Sequence, residues 1–174
     1  DAGNDVRLTE GSGLGLTNTL VRYGLTSNIA LTSGSRVTFT RNLFTGYAED
    51  SSVVTWTGTS EDITLKGAGI FEVNLYGYFI ADTANSQLEF DLSIGDGNQH
   101  NKYAYYRNII NLNAVVRMSQ FTTATIKTTG DTVIKLSGYM VWSGANREFL
   151  ATGSSDPQSA NNPQYTAFTI RKVA

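Results

Sequence analysis

Apolar and polar positions alternate with a period of two along much of this chain, the spacing of strands whose successive side chains face opposite ways. Between Gln87 and Ile94 the set Leu88, Phe90, Leu92 and Ile94 alternates with Gln87, Glu89, Asp91 and Ser93. That run reads as a strand with one buried and one wet face. From Phe71 to Phe79, the residues Phe71, Val73, Leu75, Gly77 and Phe79 alternate with Glu72, Asn74, Tyr76 and Tyr78. The second face of this strand is aromatic rather than charged, as expected of a surface that meets protein. Further strands are predicted at Arg36 to Phe44, Val53 to Thr57, Ile63 to Lys66, Val115 to Ile126, Thr132 to Val141 and Tyr165 to Val173. Turn clusters such as Gly95-Asp96-Gly97-Asn98 and Thr128-Thr129-Gly130-Asp131 separate them. No helical stripe of useful length competes. The expected fold class is all-β, an antiparallel β-sandwich or jelly roll.

Residues 1–19 break the pattern, with Gly3, Gly11, Gly13 and Gly15 and few side chains able to form a core. They read as a glycine-rich neck or linker, and residues 20–174 as one head domain. The cluster Gly11-Ser12-Gly13-Leu14-Gly15 lacks the preceding strand and following helix that a phosphate cradle needs. The chain begins at Asp1 rather than Met, as expected of a processed or excised piece.

A length of 174 residues suits one domain with a sizeable core. The formal charge of -2 supplies no basic field for phosphates, so nucleic acid is not an expected partner. Only 16% of residues are charged, against about 25% in ordinary domains, while Thr, Ser and Asn make up 51 of 174. The surface is thus expected to be neutral and hydroxyl-rich. The absence of Cys removes thiol catalysis, thiolate metal sites and disulfides. No apolar run approaches the roughly 18 residues of a membrane span, so membrane insertion is not expected.

The stretch Ile63-Thr64-Leu65-Lys66-Gly67-Ala68-Gly69-Ile70-Phe71-Glu72-Val73 resembles the signature segment of the tumour necrosis factor and complement globular-head superfamily. Leu88 to Gly95 is similar to the next core strand and its turn, and Gly130-Asp131-Thr132-Val133-Ile134-Lys135-Leu136 to the Gly-Asp-x-Val strand. Tyr165-Thr166-Ala167-Phe168-Thr169-Ile170 resembles the closing aromatic strand. The resemblance covers about Ser51 to Ala174 and implies a ten-stranded jelly roll that assembles as a trimer about a three-fold axis. Phe71 stands where Tyr is commoner, no final Gly follows Phe168, and the family's cysteines and receptor-loop signatures are missing. A microbial or viral relative fits these departures better than a signalling cytokine.

Candidate chemistry is sparse. The sole histidine, His100, lies in the polar run Asp96 to Lys102 and reads as a solvated loop residue without a nucleophile beside it. Glu49-Asp50 and Glu61-Asp62 are adjacent acids, which more often solubilise loops than form a catalytic pair. Asp91, Asp96 and Asn98 carry calcium-type oxygens without an acidic repeat. No catalytic residue, metal or cofactor is therefore expected.

Aromatics are more informative. Tyr103, Tyr105, Tyr106 and Arg107 follow the His100 loop, and Trp142 precedes Ser143 to Arg147. Tyr, Trp and Arg dominate binding hot spots because they bury much area while keeping polar handles. Loops Gly95 to Arg107, Ser143 to Arg147 and Gly153 to Pro163 are the expected contact surface, with Tyr103, Tyr105, Arg107, Trp142 and Arg147 as its ligand-binding residues. Tyr76 and Tyr78 are the expected trimer-interface residues, and Phe71, Leu88, Phe90, Leu92 and Phe168 belong inside. The resulting expectation is a non-enzymatic homotrimeric head of a viral or bacteriophage spike or fibre, extracellular on the virion surface. It would meet a host-surface glycan or protein receptor and other virion proteins. A jelly-roll coat protein that closes into a shell is the alternative, and a carbohydrate-active enzyme or lectin the second.

Overall fold

The alternating runs become strands of two facing sheets. The structure, a computed structural model, describes residues 20–81, 86–112, 116–141, 147–149 and 166–173. In chain order the strands are β1 (Leu20–Leu25), β2 (Ile29–Ala30), β3 (Ser35–Thr38), β4 (Phe44–Ala48), β5 (Val54–Thr55), β6 (Ile63–Leu65) and β7 (Ala68–Ala81). They continue as β8 (Ser86–Gly95), β9 (Ala104–Leu112), β10 (Val116–Thr129), β11 (Thr132–Val141), β12 (Arg147–Phe149) and β13 (Ala167–Lys172). The first sheet runs β2-β12-β7-β13-β1-β4, with β10 also on β7; the second runs β5-β6-β11-β8-β9, with β3 also on β11. Every pairing is antiparallel.

Between the sheets the apolar registers meet. Phe71, Leu88, Phe90, Leu92 and Phe168 are all buried, as the alternation predicts. The rings of Phe79 and Phe90 bridge the two sheets at 4.5 Å, while Tyr23 stacks on Phe168 at 4.9 Å. Such pairs add directional stability to the area they bury.

The Ile63 to Val73 stretch is where the chain changes sheets. Lys66 and Gly67 separate β6 of the second sheet from β7 of the first. Gly67 has φ 75°, the left-handed region that glycine enters without a Cβ clash. The corner is pinned from outside: the Gly67 N–H donates to Asp131 Oδ1 at 2.7 Å and the Thr128 hydroxyl to the Gly67 carbonyl at 2.7 Å. Lys66 closes an ion pair with the same Asp131 carboxylate.

Three predictions need correction. Arg36 to Phe44 is not one strand: β3 ends at Thr38, a 3-10 turn occupies Arg41–Leu43, and β4 starts at Phe44 in the other sheet. The sequence shows the reason, because the alternation of Val37 and Phe39 slips where Leu43 and Phe44 stand side by side. The polar face of β8 is not wet throughout, since Asp91 is 2% exposed and Ser93 is buried. Arg36 is aligned with Tyr139 and Tyr139 with Asp91, and the Arg36 guanidinium lies over the Tyr139 ring at 5.2 Å. Arg36 donates to Asp91 at 2.6 and 2.8 Å and to Ser93 at 2.8 Å. Finally, Gly95 to Arg107 is not all loop, because β9 begins at Ala104. The neck at residues 1–19 and the loop to Pro163 lie outside the described residues.

Candidate functional site

On the outer face of the first sheet the registers align one row of side chains across four strands. Tyr76 of β7 stands opposite Phe121 of β10 and Ala167 of β13, and Ala167 opposite Gly24 of β1. Two large rings therefore sit next to two residues with almost no side chain. A ridge forms beside a hollow of 460 Å³, bordered by Leu20, Arg22, Tyr76, Phe121, Ala167 and Thr169. Phe121 is 61% exposed, Leu20 49% and Tyr76 43%, with the Tyr76 and Phe121 rings 6.3 Å apart. Tyr78, on the same face, is half-buried. Its backbone N–H and carbonyl are both held by the Thr166 hydroxyl at 3.1 Å.

The neighbouring rows are polar but internally satisfied. Thr123 donates to Asn74 Oδ1 at 2.8 Å, Asn74 Nδ2 donates to Thr169 at 3.3 Å, and Arg171 pairs with Glu72 at 2.6 Å. A partner covering this face would therefore leave few of these polar groups without a bond.

The second candidate region lies at β8 and β9. The hairpin loop is closed by Asp96, whose carboxylate accepts the N–H of Asn98 and of Gln99 at 2.8 Å and the Lys102 ammonium at 2.6 Å. The Lys102 hydrogen bond first, then the two backbone N–H groups, pull the Asp96 pKa down to about 2. Beyond the loop, alternation along β9 turns Tyr105, Arg107 and Ile109 outward and Tyr106 inward. The Tyr106 ring lies 6.4 Å from Phe90. Arg107 pairs with Glu89 at 2.5 Å, and Tyr105 faces the His100 ring at 6.3 Å.

Of the five expected ligand-binding residues, Tyr105 and Arg107 thus share one exposed strand face. Tyr103 is partly buried against the core with the Lys102 ammonium over its ring at 5.4 Å. Arg147 belongs to β12 and Trp142 lies outside the described residues. Phe121 and Leu20 escaped the sequence reading. Phe121 carries a legible signal, being the one large apolar residue on the polar register Phe121, Thr123, Thr125 of β10.

The acidic pairs do not converge on a reaction centre. Glu61 and Asp62 both bind Lys135, at 3.0 and 3.3 Å, while Glu49 pairs with Arg41 at 2.7 Å and Asp50 caps the Ser52 N–H at 2.8 Å. Asp91 belongs to Arg36 and Asp96 to its own loop, so the two share no calcium-type site. Among the described residues no three His, Asp or Glu side chains are grouped to hold a metal ion, and no helix is long and apolar enough to cross a membrane.

No protein-family model matches the chain, and no match to it is found among curated protein sequences. Solved structures do match in fold. Eiger TNF from S. frugiperda is 11% identical with a TM-score of 0.53, over 90% of this chain and 93% of that one. Murine APRIL at pH 5.0 is also 11% identical, with a TM-score of 0.50 over 89% of this chain and 98% of its own. The chain has a tumour-necrosis-factor-like jelly-roll fold.

Proposed function

We propose that the protein is a homotrimeric attachment head of a viral or bacteriophage spike or fibre, a binding and structural module rather than an enzyme. The observation that carries the proposal is the outer face of the first sheet, where Phe121, Tyr76 and Leu20 stand in water beside a hollow. A monomer would leave that apolar surface exposed, whereas a three-fold arrangement places the ridge of each copy in the hollow of the next. The superfamily resemblance supports the same stoichiometry. The low charge density and the Thr-, Ser- and Asn-rich composition suit an extracellular particle surface.

Attachment in this reading falls to the Tyr105 and Arg107 face, which offers an aromatic plane and a guanidinium fork to a host glycan or protein. Three copies on one axis present it three times, and simultaneous engagement raises avidity by roughly 10²–10⁴. The experiment is retention of the labelled full chain on a panel of bacterial and animal cells, beside a Tyr105→Ala, Arg107→Ala double variant of unchanged native mass. Retention on at least one cell type, lost in the variant, is the expected result. Undiminished retention by the variant would move the site elsewhere, and no retention combined with particles far larger than a trimer would favour the coat reading.

A further inference from the structure

The sandwich has an open seam. β4 ends the first sheet and β5 ends the second, and the two strands are not paired with each other among the described residues. Where they diverge, a concavity of 460 Å³ opens, walled by Arg41, Asn42 and Glu49 on one side and by the β5 segment through Thr57 and Gly58 on the other. That volume is in the usual range of small-ligand pockets, about 300–1,000 Å³.

The lining is specific. Its floor is aromatic: Tyr23 and Trp56 meet edge to face at 5.4 Å, and the Trp56 indole N–H is already donated to the Ser60 carbonyl at 2.8 Å. The Arg41 guanidinium lies over the Tyr23 ring at 5.2 Å, donates to the Phe44 carbonyl and binds Glu49 at 2.7 Å. Tyr23 shares a further hydrogen bond with the Glu49 carboxylate. Burial first, and that carboxylate second, push the Tyr23 pKa up to about 12, so the phenol stays protonated and donates. Glu49 remains half exposed with acceptor capacity to spare, because an ionised carboxylate has about four lone-pair sites. Asn42 Oδ1 accepts from the Thr40 hydroxyl at 2.7 Å, which leaves its amide nitrogen as a donor. Gly46 makes this arrangement possible, since the Glu49 side chain occupies the space where a Cβ at position 46 would stand.

We propose that this seam pocket binds a neutral saccharide unit, with Glu49 accepting from and Arg41 donating to neighbouring sugar hydroxyls. The chemistry selects that class. Arg41 and Glu49 neutralise each other, so an anion meets the carboxylate and a cation meets the guanidinium, whereas a pair of adjacent hydroxyls can donate to one and accept from the other. Tyr23 and Trp56 are 3% and 4% exposed and the Arg41 guanidinium already covers the Tyr23 ring, so recognition falls to the polar rim of Arg41, Asn42 and Glu49. No residue of the pocket belongs to the Tyr105 and Arg107 face, and binding of a monosaccharide does not require the trimer. The inference therefore stands or falls separately from the attachment role.

The test is a nitrogen–proton NMR titration of the full chain with methyl β-D-galactopyranoside, methyl α-D-glucopyranoside and N-acetylglucosamine. The chain has two tryptophans, so two indole signals report. A saturating shift of the Trp56 indole with at least one sugar is expected, weakened about tenfold or more in Glu49→Gln, as for loss of a charged hydrogen-bond partner. Gly46→Ala is the second variant. The atoms nearest its new methyl all belong to the flexible Glu49 side chain, so it should displace the carboxylate while leaving the fold and its melting temperature intact. No shift with any of the three sugars, or equal affinity in wild type and both folded variants, would overturn the assignment.

Discussion

Among the ion pairs of the described residues, Arg36 and Asp91 have the most buried carboxylate: the aspartate side chain is 2% exposed and the arginine 23%. Asp91 depends on Arg36 and on nothing outside the protein. Removing Arg36 strands a buried carboxylate, at a cost of about 3–5 kcal/mol for a broken buried pair, whereas removing Asp91 leaves a guanidinium that can still reach water. Chemical denaturation should therefore show Arg36→Met far more destabilised than Asp91→Ala. Equal losses would mean that the two groups are solvated alike. Crowding sets a second residue-scale limit at Gly138, which faces the interior where the Phe149 ring fills the place of any side chain. Gly138→Ala forces that ring aside within a closed core, and overpacking of this kind costs about 1–3 kcal/mol. An unchanged urea midpoint would show that Phe149 has room to move.

At the scale of elements, the β8–β9 hairpin is held by the Asp96 carboxylate, whose pKa is lowered from 3.8 to about 2. A depressed carboxylate contributes stability that is complete above its unfolded value and is lost as pH falls through its folded one. The hairpin should thus loosen between about pH 4 and pH 2, and Asp96→Asn should loosen it at neutral pH. Amide exchange of Asn98 and Gln99 measures both, and protection unchanged by acid or by substitution would contradict the assignment. The same hairpin marks how far sequence reading reaches. β8 was legible because its buried register, Leu88, Phe90, Leu92 and Ile94, is uniformly aliphatic or aromatic, and β11 because Ile134, Leu136 and Met140 carry the alternation across Gly138. β9 was hidden because Tyr105, Tyr106, Arg107 and Asn108 carry polar atoms on both faces, and β1 because Gly24 interrupts its run next to a glycine-rich segment. The outward placement of Tyr105 and Arg107 followed from parity once the strand was known. The seam pocket was not legible at all, since Tyr23, Arg41, Glu49 and Trp56 come from four segments that meet only when both sheets end at the same edge.

For the whole molecule, the two faces of the first sheet explain each other. Its inner face is filled by Phe71, Val73, Leu75 and Phe168, while the outer one repeats aromatic character without a core to receive it. Rings left in water on a regular, internally hydrogen-bonded sheet are a liability for a monomer and an anchor for an assembly. Phe121→Glu tests the anchor without touching the interior, because its side chain points outward and its truncation opens no cavity. A charge placed there should convert the proposed trimer to monomers that keep their melting cooperativity. The stoichiometry is decided by the native mass of the unmodified chain, measured by light scattering after size exclusion at micromolar concentration. The expected value for the proposed trimer is three times the 18.9 kDa of one chain, and a mass of one chain would rule the trimer out.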